Sequence, residues 1–380
     1  MANRPSSWMA EPGGSRRPVG VGLVGAGWFG AFCLAAYAEM PEVEVLAVAD
    51  GDIERASAVA PAGAGVHADL DGLLGDRRVE IVHIATPPAS HAPMTLAALR
   101  AGRHVFVEKP LATTAEDAAR VATEARARGL QVGIDYVLRH HPLHQLALRL
   151  VDEGILGDPL LWSLENLASA QKLGPDHWFW DRRISGGIHV EHGVHFFDLC
   201  QRLAGSERPD RVEGWSQARP DGVVDRVGAV VRYGDRLSAG FTHAFVRSDR
   251  FERTTIRIVL RRGEIVLDGW IPTELRIWGA ATTAEVEGLR QEVGSGLGLA
   301  LDVGPAVDEP FLAIPAGETG GQLREVSALL RRDDRWADYR LGVQAGMREL
   351  MTAVRGGPAP SVSLEDALLS LETALRASDV

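Results

Sequence analysis

The sequence predicts an α/β protein: a doubly wound parallel sheet first, then a second α/β domain on an open, mostly antiparallel sheet. Three observations carry that expectation. Short apolar runs alternate with helical stretches from Val19 to Ile134, the pattern of parallel strands joined by right-handed crossovers. A glycine turn, Gly25-Ala26-Gly27-Trp28-Phe29-Gly30, falls between the first apolar run and the first helix. Beyond His144 the alternation gives way to strand runs parted by turn signals such as Tyr233-Gly234-Asp235 and Arg262-Gly263.

In the first half, Val19 to Val24 is a compact β-branched strand, followed by a helix from Ala31 to Met40 and a strand from Val43 to Ala49. That second strand ends in Asp50, 20 residues beyond Gly30. In this setting Gly25 permits the tight turn, Gly27 lets the backbone approach a pyrophosphate, and Gly30 allows close helix–strand packing. The turn through Trp28 and Phe29 and the helix end behind it offer unpaired N–H groups to phosphates. Asp50 is placed to accept hydrogen bonds from an adenosine ribose and to repel a 2′-phosphate. NAD is therefore expected over NADP, although Arg55 lies close by.

A third strand, Val79 to Ala85, ends in Thr86-Pro87-Pro88, a turn that can lie beneath the nicotinamide. Ser90 reads as the N-cap of a helix from His91 to Ala101, which puts His91 at the cofactor site. Val105 to Val107 then reads as a short buried strand running into Glu108-Lys109-Pro110, and Pro110 ends it because its nitrogen cannot donate a ladder bond. Lys109 is thereby held at a carboxyl strand end, where open α/β sheets bind ligands and an ammonium can stabilise charge on a substrate oxygen. A helix from Thr114 to Arg128 and a strand from Gln131 to Ile134 complete this half.

Tyr136 to His144 breaks the pattern, and a helix follows from about Leu143 to Glu153. Val223 to Tyr233, Ser238 to Phe245, Thr254 to Leu260 and Glu264 to Leu267 read as strands of an antiparallel sheet. Gly288 to Val307 is glycine-rich and reads as a loop or an oligomer contact. Trp336 to Val354 and Leu364 to Ala377 are amphipathic helices, free to pack back on the first domain. The expected division is a disordered leader (1–18), a dinucleotide-binding domain (19–136) and a substrate-binding and oligomerisation domain (137–380).

Composition excludes several classes. A formal charge of -11 argues against a nucleic-acid or anionic-membrane surface, and no run approaches the ~20 apolar residues of a membrane helix. Cys33 and Cys200 are the only cysteines, too few for a disulfide framework or a thiolate zinc site, which fits a reducing cytoplasm. The leader, Met1 to Pro18, lacks the apolar core of a signal peptide and reads as a disordered tail or an upstream start.

The second chemical signal is the segment from Ser185-Gly186-Gly187 through His189, Glu191, His192 and His195 to Asp198. At ~100° per residue Glu191, His195 and Asp198 share one helical stripe, while His189 points nearly the opposite way. His189, His192 and His195 cannot converge on a metal from an undistorted helix, and no metal is expected. The stripe instead sets an imidazole beside a carboxylate. His195 is suited to take a proton from a hydroxyl near neutral pH, with Glu191 orienting it or binding the neighbouring hydroxyl. Asp176 to Asp181, with three aromatic rings, reads as core packing or as a stacking surface for a sugar.

These motifs, in this order, resemble the glucose-fructose oxidoreductase / inositol dehydrogenase (Gfo/Idh/MocA) family. The resemblance rests on the glycine turn, Thr86-Pro87-Pro88 with His91, Ala101 to Pro110, and Gly186-Gly187 leading to Gly193-Val194-His195, and it spans roughly residues 19 to 375. It implies a Rossmann domain, a C-terminal α/β domain whose sheet forms homodimer or homotetramer contacts, and a sugar, inositol or related polyol as substrate. It implies Lys109 as substrate ligand and His195 as acid/base, with Glu191, where aspartate is usual, binding substrate hydroxyls. Glu108 falls on the cofactor side, and Tyr136, Arg139 and His192 on the substrate side. The expected activity is reversible NAD-dependent oxidation of a secondary alcohol. The alternatives are cyclic oxidation and elimination on a glycoside with retained NAD, and a cofactor- or sugar-sensing regulatory protein without turnover.

Overall fold

The computed structural model of the chain describes residues 17–294, 300–307 and 322–378. The leader, apart from its last two residues, and part of the Gly288 to Val307 stretch lie outside the described residues. Six parallel strands, β1 (Val19–Val24), β2 (Val43–Ala49), β3 (Gly65–His67), β4 (Ile81–Ile84), β5 (His104–Glu108) and β6 (Val132–Asp135), form one sheet in the order β3-β2-β1-β4-β5-β6. The order reverses between β1 and β4, and the carboxyl ends open a crevice at that switch point. Helices α1 (Trp28–Tyr37), α2 (Ile53–Val59), α3 (Leu70–Leu74), α4 (His91–Arg100) and α5 (Ala115–Arg128) are the crossovers. They cover both faces, which is why strands such as β1 are apolar throughout and fully buried.

Two local differences from expectation bear on the site. Helix α1 starts at Trp28 rather than Ala31, so its free N–H groups begin immediately after Gly27. Ser90 does not cap α4: its hydroxyl lies 2.7 Å from both Thr86 Oγ1 and the Pro87 carbonyl, and a 3₁₀ turn over Pro88–Ser90 leads into the helix instead. The elements between Ile53 and Leu74 are too short for an apolar period to reveal; α2 and α3 are started by Asp52 and Asp69, whose carboxylates accept the Arg55 and Gly72 N–H groups.

The second sheet is larger than the four strands legible in the sequence. It contains β7 (Pro159–Ser169), β8 (Arg211–Ala218), β9 (Val224–Tyr233), β10 (Leu237–Arg247), β11 (Arg253–Leu260), β12 (Gly263–Asp268), β13 (Glu274–Ala281), β14 (Ala300–Ala306) and β15 (Arg324–Arg331). Their order is β14-β15-β13-β12-β11-β7-β10-β9-β8, antiparallel throughout except where β7 runs parallel to β10. The inner face packs on helices α6 (Pro142–Asp152) and α8 (Val194–Leu203), between which lies the short helix α7 (Arg182–Ser185); Phe197 of α8 meets Phe241 of β10 at 4.5 Å. The outer face leaves Leu161, Trp215, Val230 and Trp278 exposed. The stretch read as a loop is, where described, the end of helix α9 (Thr283–Gly294) and the edge strand β14, which tolerates Pro305 because an edge needs no donor on its open side.

Helices α10 (Arg335–Val354) and α11 (Leu364–Ser378) return to the first domain. Gly346 of α10 lies against Phe106 of β5, and Gln344 donates to the Ala36 carbonyl in α1 at 2.9 Å. Helix α11 crosses β8 so closely that a Cβ at Gly214 would fall 1.8 Å from the Ala377 carbonyl oxygen. Gly214→Ala is therefore expected to destabilise the protein by ~1–3 kcal/mol, the usual range for overpacking. A lowered urea midpoint checks this; an unchanged midpoint would show that α11 is not held against β8.

Candidate active site

Lys109 directly follows β5, and its ammonium reaches the second domain. Nζ donates to the backbone carbonyl of Glu191 and to Glu191 Oε1, both at 2.7 Å, and the Lys109–Pro110 bond is cis. The two side chains are each 13% exposed, so this is a largely dry ion pair. Burial pushes the Glu191 carboxyl up, but the Lys109 ammonium, and after it His192, hold it below its ordinary value. Glu191 is thus the counter-ion of the lysine rather than the partner of His195.

The backbone before Glu191 explains this. Gly186 and Gly187 take φ of +81° and +93°, a left-handed step in which a Cβ on Gly186 would fall 2.5 Å from Val190. The chain then makes a π turn over His189–Gly193 before α8 begins. The extra residue in that turn rotates one end of the segment against the other, and such turns concentrate at functional sites. The stripe expected from a regular helix is split three ways. Glu191 meets Lys109, and His195 packs edge-on against Tyr136 and Trp270, with ring centroids 6.0 and 5.8 Å away. Asp198 accepts from Arg139 Nε and Nη2 at 2.5 and 2.8 Å. Even with the π turn, the three histidines do not come together as a metal-holding set among the described residues.

His195 is 2% exposed and its Nδ1 has no hydrogen-bond partner. Burial first, then the charges of Lys109, His192 and His144, push its pKa well below the ordinary value, so the neutral imidazole is the resting form. Titration near neutrality, as the sequence suggested, is not what this environment produces. His192 stacks on Trp270 with centroids 6.1 Å apart, and burial lowers its pKa to about 4. His189 is held by the Gly228 carbonyl at 3.3 Å and is likewise lowered to about 4 by burial. Trp270, His243 and His144 around these rings carry no motif; a lone tryptophan after Asp268-Gly269 gives no sequence signal.

Several expected contacts go elsewhere. Tyr136 is 1% exposed and its hydroxyl bonds to Ser370 Oγ at 2.8 Å, so only its ring meets His195. Arg139 is committed to Asp198 and takes no place beside Lys109. Glu108 turns inward beside His83 rather than to the cofactor side, and burial raises its pKa to about 7. His91 is 1% exposed and braces rather than lines the crevice: its ring nitrogens lie 2.7 Å from the Pro110 carbonyl and 2.6 Å from the Thr86 carbonyl. Burial keeps the ring neutral, so it donates to one of these carbonyls and packs against the other, filling the space between the Thr86-Pro87 turn and the segment after Lys109. Phe179 packs on Phe245 at 4.7 Å, with Trp178 and Trp180 around it, so the Asp176 to Asp181 segment builds a small core.

The nucleotide end fits a dinucleotide. Gly25 has φ +100°, a Cβ on Gly30 would strike the Gly25 carbonyl oxygen at 1.9 Å, and a Cβ on Gly27 would meet nothing within 4 Å. Gly27 therefore leaves an open cradle in front of the α1 N-terminus. The side chains of Trp28 and Phe29 turn toward Trp336 and Tyr339 of α10 and leave only their backbone to the phosphates. Asp50, at the end of β2, accepts the Ala26 N–H at 2.7 Å and the Asp52 N–H at 2.9 Å, which fixes its carboxylate for ribose hydroxyls. Arg55 lies 3.5 Å from Asp50 and 3.2 Å from Asp52, paired with both carboxylates.

Comparison with known proteins matches both halves of the chain to one family. Residues 19–136 match the family described as "Oxidoreductase family, NAD-binding Rossmann fold", and residues 144–266 match the GFO/IDH/MocA C-terminal domain. The chain is 38% identical over 178 residues to a dTDP-3,4-didehydro-2,6-dideoxy-alpha-D-glucose 3-reductase of Streptomyces violaceoruber, covering 46% of this chain and 51% of that protein. It is 35% identical over 195 residues to inositol 2-dehydrogenase 2 of Saccharopolyspora erythraea, covering 49% of this chain and 54% of that one. Both alignments thus span about half of the relative's length. The crystal structure of GenD2 from gentamicin A biosynthesis, in complex with NAD, superposes with a TM-score of 0.73 at 23% identity, covering 97% of each chain, and shows the shared fold.

The buried imidazoles set a pH dependence of stability. His189 and His192 titrate from 6.5 in an ordinary environment to about 4 in the folded protein, so below pH 6.5 the unfolded chain binds protons that the folded one refuses. Stability is full above that pH and lost as pH falls toward 4, by up to roughly 3 kcal/mol for each residue. The Tm of the wild type should fall relative to that of His192→Gln as pH is lowered from 6.5 toward 4. A difference that stays constant across that window would contradict the buried, neutral assignment.

Proposed function

The chain belongs to the Gfo/Idh/MocA family of NAD-binding oxidoreductases, and we propose that it moves hydride between NAD and a secondary alcohol or ketone of a sugar, inositol or related polyol. The observation that carries this reading is Lys109 Nζ at the carboxyl end of β5, fixed on Glu191 by two 2.7 Å hydrogen bonds. An ammonium has three protons. Glu191 takes two of them, and the third is available for the oxygen of the reacting carbinol. When bound, the nicotinamide supplies the hydride acceptor or donor at its C4.

The chain's own residues do the rest. Lys109 orients the reacting oxygen and stabilises the negative charge that grows on it as its proton leaves. His195, neutral at rest, accepts that proton during oxidation and returns it during reduction. Its depressed pKa makes it a ready proton donor once charged, which favours rapid return in the reducing direction. Glu191 keeps the ammonium in place and offers its carboxylate to a neighbouring hydroxyl. His192 and Trp270 provide an aromatic wall on which the face of a sugar ring can stack. The relatives named for a deoxysugar reductase and an inositol dehydrogenase support a polyhydroxylated ring as substrate. The exposed apolar outer face of the nine-stranded sheet supports a contact between copies of the chain in a homodimer or homotetramer. With this chemistry we place the protein in the cytoplasm.

Reduced-nicotinamide absorbance with a panel of sugars, inositols and their keto forms tests the assignment. Lys109→Ala and His195→Ala are expected to lower kcat by roughly 10²–10⁴, the span of general acid–base and charge-stabilising groups, with NAD affinity nearly unchanged. Glu191→Gln should cost less and mainly loosen KM. For the wild type, the acid limb of kcat/KM in the oxidising direction should lie below pH 6.5, following the downward shift of His195. Variants of both Lys109 and His195 that bind NAD and turn over at the wild-type rate would remove them from the chemistry.

A further inference from the structure

Directly behind Lys109, on the sheet face covered by α1 and α10, the core holds a polar cluster that the proposed reaction does not use. Cys33 comes from α1, His83 from β4, Glu108 from β5 and Asp135 from β6, and the strand register sets Glu108 beside Asp135. One ligand atom each from Cys33, His83 and Glu108 lies within 4.8 Å of the others, and His83 Nε2 is 3.8 Å from Glu108 Oε1. Cys33 and His83 are 0% exposed and Asp135 is 1% exposed. Yet His83 Nε2 has no hydrogen-bond partner, and the Glu108 and Asp135 carboxyls have only each other, a pair that needs a proton held between them. Buried polar atoms are normally satisfied, and an unpartnered imidazole beside a thiol and a carboxyl pair calls for a cation there.

We propose that Cys33 Sγ, His83 Nε2 and Glu108 Oε1, with Asp135 as the fourth donor, bind a zinc ion. The donor set is one that zinc accepts, thiolate, imidazole and carboxylate at ~2.0–2.3 Å in a tetrahedron, and it requires the side chains to draw in by about 1 Å. The second shell is already present. His83 Nδ1 lies 2.8 Å from the Tyr37 hydroxyl, and that bond fixes the ring with Nε2 toward the other three donors. Binding releases the proton of the Cys33 thiol and the proton shared by the Glu108–Asp135 carboxyl pair to solvent, and the ion's two charges answer the thiolate and carboxylates left behind. With protein donors at every position, the site is structural: it ties α1 to β4, β5 and β6 and holds Glu108, hence Lys109, in place. This revises the expectation of no metal, which rested on the two cysteines being too few for a thiolate site and on the spacing of His189, His192 and His195.

The test uses the full chain made without a polyhistidine tag. Elemental analysis should find one zinc per chain, and Zn²⁺ added to chelator-treated protein should raise Tm. Co²⁺ added to the same protein should give a thiolate-to-metal charge-transfer band, and Cys33→Ser should lose it while His83→Gln weakens it. The wild-type cobalt spectrum needs no variant, so it decides even if a substitution prevents folding. Zinc far below one per chain with no Tm shift and no cobalt band would overturn the proposal and leave a proton-sharing carboxyl pair. A cobalt band that survives in Cys33→Ser would overturn it as well, by placing the metal elsewhere.

Discussion

Lys109 and Glu191 lie in different domains, and the ion pair between them is the contact on which the candidate site depends. Such a pair adds little net stability, since two charges must leave water before they can attract one another. Its effect is geometric. A lysine alone at a strand end has four rotatable bonds and a solvated head; clamped on a carbonyl and a carboxylate, the ammonium has a fixed direction and one proton to give. The same contact sets the π turn against the end of β5. It therefore fixes how the histidine-bearing segment meets the nucleotide crevice.

On the second-domain side of this pair the protein gathers imidazoles in a dry interior. His189, His192, His195 and His243 all have pKa values driven down by burial, and for His195 the neighbouring ammonium adds to the effect. A neutral imidazole beside a cation suffers no attraction that would hold a proton on it at rest. Acceptance and release of a substrate proton then depend on what enters the crevice. The bracing by His91, with carbonyls on both ring nitrogens, serves the same end by stiffening the two turns at the carboxyl ends of β4 and β5.

Much of this was legible in the sequence for definite reasons. The glycine turn, Asp50 and Glu108-Lys109-Pro110 are local: each does its work through its own backbone and the strand or helix it adjoins, so spacing suffices to find it. The doubly wound sheet was legible because buried parallel strands are unbroken apolar runs. Strand β7 is hidden because exposed Leu160 and Leu161 stand side by side where a bulge interrupts its pairing with β11, which blurs the alternation, and β14 because glycine and proline mask an edge strand. A helical wheel sets Glu191 beside His195 because it assumes a regular helix, and the π turn after Gly186-Gly187 breaks that assumption. Tyr136, Arg139 and Glu108 were set at the site by resemblance. The structure turns the Tyr136 hydroxyl, the Arg139 guanidinium and the Glu108 carboxylate to internal partners or the core.

The sequence by itself determined the fold class, the nucleotide end and the lysine at the strand edge, because these depend on residues close together in the chain and on periodicities of burial. Only the tertiary structure decided which carboxylate faces that lysine, which histidine stands free, and that Trp270 closes the ring around it. Those relations join residues far apart in the chain, such as Lys109 and Glu191, 82 positions from one another. Long-range pairing of this kind is set by how two cores dock, and no local pattern of residue types encodes it.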